Sequence, residues 1–183
     1  YAINPTETLL NLPRLGNTFF AVFFCFLLIN NLENKVVIIT RIFIGFLFFE
    51  LFSFYSDFFT QLEGKSFNAA NLKGVAGNKN ITAASIAFKV PFVIYSIVIV
   101  RKGLIKLIFS ILLFTAIFSI SILYARAAIL SSFIVFVIFL IYSIFTLLSE
   151  RSQFKHNLKN LLFTIVPYII AVLLNFSFTN SQN

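Results

Sequence analysis

Between Lys106 and Glu150 the chain carries a single charged residue, Arg126, within Leu123-Tyr124-Ala125-Arg126-Ala127-Ala128. Its guanidinium is permanently charged and offers five donors in a planar fork, and no acidic residue is near it in sequence. Such a group takes a partner from elsewhere in the fold, from lipid headgroups, or from an anionic substrate such as a diphosphate. The competing account is an arginine that snorkels to a membrane surface. A second candidate is Lys73-Gly74-Val75-Ala76-Gly77-Asn78-Lys79-Asn80-Ile81-Thr82. Glycines let backbone N–H groups converge on an anion, and a helix starting here adds a favourable dipole. Lys73 and Lys79 supply full charges, so Lys73, Gly77, Asn78, Lys79 and Asn80 are candidate phosphate-binding residues. A glycine turn followed by an asparagine N-cap accounts for the same residues without a ligand. Metal chemistry finds no support: the one histidine, His156, and the one cysteine, Cys25, are far apart, and no HExxH or CxxC spacing occurs. No cofactor is expected.

The elements that must position these residues follow from composition. Of 183 residues, 60% are hydrophobic and 11% charged, 27 are Phe, and the mean hydropathy is +0.98. Both a soluble globule and a disordered chain are excluded, since soluble domains carry about a quarter charged residues. Six apolar runs are near the roughly 20 residues that cross a hydrocarbon core: 15–32, 36–59, 81–100, 104–124, 127–148 and 161–178. Backbone groups in lipid must be bonded within their own segment, so these runs are helices despite their β-branched and aromatic content. The expected fold class is all-α, a polytopic transmembrane bundle of about six spans. Residues 104–148 would make one helix roughly 67 Å long, twice what a bilayer holds, so the chain must turn inside it, at Arg126.

Lysine and arginine counts orient the spans. One side receives Lys35, Arg101, Lys102, Lys106, Arg151, Lys155 and Lys159; the other receives Arg14, Lys65, Lys73, Lys79 and Arg126. The excess lies in the short loops 101–103 and 149–160, which are placed in the cytoplasm, with His156 in a solvated basic cluster. The loop 60–80, the turn at Arg126 and both ends of the chain then face outward. Net charge +8 is spread over two membrane faces with no aromatic-interleaved patch, which excludes nucleic acid as a partner. Glu50 is about 14 Å deep in the second run and Lys89 about 12 Å deep in the third, at 1.5 Å per helical residue. The matching depths predict an ion pair, with Pro91 beside it.

The arrangement resembles the O-antigen ligase and polymerase superfamily of bacterial envelope glycosyltransferases. The resemblance is carried by Gly77-Asn78-Lys79-Asn80, followed by Ala83, Ala84 and a span reaching Pro91, then by a basic turn and a span ending in Tyr124-Ala125-Arg126-Ala127, similar to the family's Ser-Arg-Gly/Ala signature. It covers roughly residues 74–148. It implies metal-independent transfer of a glycan from an undecaprenyl diphosphate-linked donor to lipid A core, a growing polysaccharide or protein, on the periplasmic side of the bacterial inner membrane. It further implies that Arg126 contacts the donor diphosphate. Ala125 stands where the family often has Ser. The family's His base and further Arg, in a long outer loop, have no counterpart, and the chain, which has no Met, is read as an internal fragment whose missing loop begins after Asn183. A non-enzymatic carrier, a lipid-linked oligosaccharide flippase or small-solute transporter, is the alternative; it asks for a cavity lined by Glu50 and Lys89.

Overall fold

A computed structural model describes residues 34–63, 72, 74, 77–149 and 153–180. Among these residues there are five helices and no strand: α1 (Lys35–Glu63), α2 (Lys79–Ile99), α3 (Gly103–Ile122), α4 (Arg126–Ser149) and α5 (Phe154–Asn180). All five are long and apolar enough to cross a bilayer, which makes the chain an all-helical, multi-pass membrane protein. The expected span 15–32 lies outside the described residues. The chain divides into two units at Ile39 and Thr40. Of the first, only the start of α1 is described, where Asn34 adopts φ 55° and its carbonyl accepts from the amides of Val37 and Ile38. All that follows concerns the second unit.

α2 and α3 are central. In each, 56% of the membrane-crossing window is buried, against 22% in α1 and 28% in α4 and α5. α3 packs most extensively on α5 and α2, and α2 also meets α4. Lipid gives helices no hydrophobic reason to associate, so close approach depends on small side chains and polar contacts. Ala83, Ala87, Ala116, Ser119, Ala128, Ser132, Thr164 and Ala171 are all buried at these seams. α1 is different: it meets its neighbours through long side chains rather than by close backbone approach. Phe43 stacks on Phe92 with ring centroids 4.5 Å apart, and the Tyr55 hydroxyl donates to the Thr115 carbonyl at 3.2 Å. Many of the phenylalanines, among them Phe46, Phe49, Phe52 and Phe145, point outward, where lipid is their solvent.

Two expectations about boundaries are corrected. The loop expected over 149–160 is shorter, because α5 is helical from Phe154, and the last span, expected over 161–178, continues as helix to Asn180. Apolar runs report only the hydrocarbon-embedded part of a helix. At 1.5 Å per residue α5 is about 40 Å long, the thickness of a bilayer with its headgroups. α1 likewise outruns its apolar segment and ends at Glu63, shortening the expected loop 60–80. The turn between α3 and α4 falls where the interrupted apolar stretch requires it. The Leu123 and Tyr124 amides close α3 by donating hydrogen bonds to the Ser119 and Ser121 carbonyls respectively, Tyr124 adopts φ 50°, and α4 opens at Arg126.

Lys106 also departs from expectation. Counted in sequence with Arg101 and Lys102 toward the basic side of the membrane, it is 2% exposed, and its ammonium donates to the Asn160 side-chain oxygen. One helical turn further along α3, the Ser110 hydroxyl donates to the Phe163 carbonyl at 2.6 Å. The two contacts make a polar seam between α3 and α5. Asn160 is the seventh residue of α5, which opens at Phe154, so the contact forms only because that helix starts early.

Candidate functional site

Arg126 is the first residue of α4 and is exposed. The helix is entered through Ala125, whose carbonyl accepts from Ile129 at 3.0 Å, and its first turn contains no acidic residue. No described carboxylate stands within ion-pair reach of the guanidinium. A cation is electrostatically misplaced at a helix N-terminus, where the macrodipole already presents positive potential. Both features are relieved by an anion bound at this point.

Two spatial relations bring α2 to the same end. Ala84 and Ala87 share a groove with Ala127 and Ala128, and at the far end Val98 and Ile99 share a cavity with Tyr142, Ser143 and Thr146. α2 and α4 are therefore parallel neighbours, with Arg126 near the level of the first turns of α2. That end also carries Gly77, Asn78, Lys79 and Asn80; Lys73 lies outside the described residues. Asn78 acts as the N-cap of α2, its side chain accepting from the Asn80 amide at 2.9 Å and its carbonyl from the Thr82 amide at 2.9 Å. The Gly77 amide donates to the Gly74 carbonyl, and the Gly74 amide donates to Asp57 Oδ2 at 3.2 Å. The Gly74, Gly77 and Asn80 amides are thus engaged within the protein. Among the described candidates, Arg126 and Asn80 are exposed and Lys79 is half-buried.

The turn is built on its glycines. Gly74 has φ +57°, and a Cβ there would meet the Thr82 methyl carbon at 2.8 Å; Gly77 has φ +66° but open space around it. Gly74→Ala is expected to cost about 1–2 kcal/mol for the left-handed backbone alone, with the clash added, and Gly77→Ala only the backbone share. Comparing thermal midpoints of the two purified variants checks the order.

The groove between α2 and α4 is a feature the sequence motifs did not identify. It has a volume of about 520 Å³ and runs from Ala84 and Ala127, the residue after Arg126, along Ala87, Pro91 and Ala128 to Val135. Alanines on both facing helices leave it unfilled, and its exposed rim, including Phe88 and Pro91, opens it to the bilayer. The available signal was the clustering of Ala83-Ala84 and Ala127-Ala128 at the heads of two spans, which periodicity alone does not assign to facing surfaces.

The expected intramembrane pair is formed. Lys89 Nζ stands 2.9 Å from both carboxylate oxygens of Glu50. It also donates to Ser85 Oγ at 2.7 Å and to the Ser85 carbonyl at 3.0 Å, and the Ser85 hydroxyl lies 2.7 Å from Glu50 Oε1. The pair closes on itself in the membrane, between helices that otherwise meet through aromatic side chains. Among the described residues there is no group of three or more metal-ligating side chains. Compared with family models, with curated proteins and with solved structures, the chain matches none.

Proposed function

We propose that this chain is the membrane core of an enzyme that transfers a glycan from an undecaprenyl diphosphate-linked donor to lipid A core, polysaccharide or protein at the outer face of the bacterial inner membrane. The observation that carries the reading is an exposed arginine, unpaired among the described residues, at the head of a lipid-open apolar groove. A polyprenyl diphosphate is anionic at one end and hydrocarbon along the rest, and this site offers the complement of each part in the same order. In the reaction the bond between the sugar anomeric carbon and the diphosphate oxygen breaks, and its electron pair leaves on the diphosphate. The acceptor hydroxyl bonds to that carbon, and its proton leaves to a base that the family resemblance puts in a further outer loop. Arg126 is positioned to stabilise the charge growing on the leaving group, the point at which a preorganised cation favours the transition state over the ground state. Lys79 and Asn80 would contact the same diphosphate from α2.

A polyprenyl diphosphate carrying a photoreactive group on its first isoprene units tests the reading. Labelling is expected on α2 and α4 at the groove, around Ala87 and Ala128, and is expected to be competed by unlabelled polyprenyl diphosphate but not by the uncharged polyprenol. Labelling spread evenly over the lipid-facing helices, or equal competition by the alcohol, would overturn it.

A further inference from the structure

A second cavity lies at the opposite end of the same helices, and we propose that it is an oxyanion site that takes a phosphate group. It has a volume of about 250 Å³ and is enclosed by α2, α4 and α5, with Ser143, Thr146, Gln153, His156, Asn157 and Asn160 among its walls. Counting from Arg126 to Ser143 and Thr146 along α4 separates it from the first site by roughly 25–30 Å at 1.5 Å per residue, so one ligand group cannot occupy both.

Three observations define its chemistry. The Asn157 side-chain nitrogen is buried and has no acceptor, although a buried amide N–H₂ left without one is costly. The orientation of Asn160 is set by its neighbour: the Lys106 ammonium has only hydrogens to offer, so Asn160 must turn its oxygen to Lys106, and its N–H₂ remains a donor. Lys106 itself, 2% exposed, adds a full positive charge behind the cavity wall with no described carboxylate within ion-pair reach. Hydroxyls of Ser143 and Thr146, the His156 ring and the Gln153 amide complete a lining that has no acidic side chain among the described residues. A neutral apolar guest would leave the Asn157 donor unpaired, and a cation would meet the field of Lys106. An oxyanion accepts from the two amides and sees the positive charge behind them. Free inorganic phosphate and the phosphomonoester headgroup of a lipid such as phosphatidate present this same group.

The test uses the full-length protein purified in neutral maltoside micelles, with thermal unfolding followed during titration by inorganic phosphate or by short-chain phosphatidate, against chloride at matched ionic strength. At least one of the two is expected to raise the midpoint saturably. Protection by phosphate alone identifies a soluble anion as the occupant, and protection by phosphatidate alone identifies the headgroup. Asn157→Asp sets a carboxylate where the donor stood and is expected to weaken that binding about tenfold or more. Asn157→Leu removes the orphan donor without adding charge; it is expected to fold at least as stably as the parent and to lose the ligand-dependent shift. Absence of a saturable shift with either ligand, or an undiminished shift in Asn157→Leu, overturns the proposal.

Discussion

Arg126→Ala is expected to lower glycan transfer by about 10²–10³-fold while membrane insertion and thermal stability stay near those of the parent. The magnitude is that of removing one preorganised charged donor from a developing oxyanion. The stability expectation has a separate basis: Arg126 is exposed and makes no ion pair with a described carboxylate, and substitutions away from such contacts shift stability by about 0.5 kcal/mol or less. Arg126→Lys keeps the charge but loses the planar two-point fork, so it should recover part of the activity and not all of it. Surface polysaccharide or glycan attachment, scored in cells beside the amount of protein in the membrane fraction, separates the two effects. Normal glycan in the alanine variant would end the enzymatic reading, whereas loss of both glycan and protein would make Arg126 a structural residue.

Lys89→Ala is expected to cost about 3–5 kcal/mol, the largest effect on stability of any single substitution considered, because it leaves the Glu50 carboxylate in the membrane without its cation. Glu50 is 18% exposed and Lys89 7%, so water offers little compensation. Losing Lys89 also removes hydrogen bonds to Ser85, leaving Glu50 with the Ser85 hydroxyl as its remaining donor among the described residues. Replacing both partners, as in Glu50→Gln with Lys89→Ala, removes the uncompensated charge and should restore most of the loss. Unfolding of the purified single and double variants in a denaturing detergent series measures the coupling. Additive losses in the double variant would show that the 2.9 Å contact contributes nothing specific, and an unchanged Lys89→Ala would show that it contributes nothing at all.

Much of this architecture was legible in the chain itself. Lipid leaves the backbone no partner but its own segment, so five described runs become helices whatever the β-propensity of their Ile, Val and Phe residues. The length of residues 104–148 against the bilayer thickness forced a turn, and its single charge put that turn at Arg126; the structure turns at Leu123–Ala125 and opens the next helix at Arg126. Equal depths of Glu50 and Lys89 on consecutive antiparallel spans were sufficient to pair them, because a charge in hydrocarbon has few other options.

Tertiary structure decided what depth and periodicity leave open, namely which helix faces which. Depth is a coordinate along the membrane normal and is read by counting residues; neighbourhood is set by side-chain packing in the membrane plane, which no count supplies. The parallel contact of α2 and α4 that puts an alanine groove under Arg126, the burial of Lys106 against Asn160, and the joining of Asn157 with residues of α2 and α4 around one cavity all belong to that second kind. Helix ends likewise escaped the sequence, since α5 extends beyond its apolar run into the headgroup layer, where polar side chains cost nothing and hydropathy no longer marks the boundary.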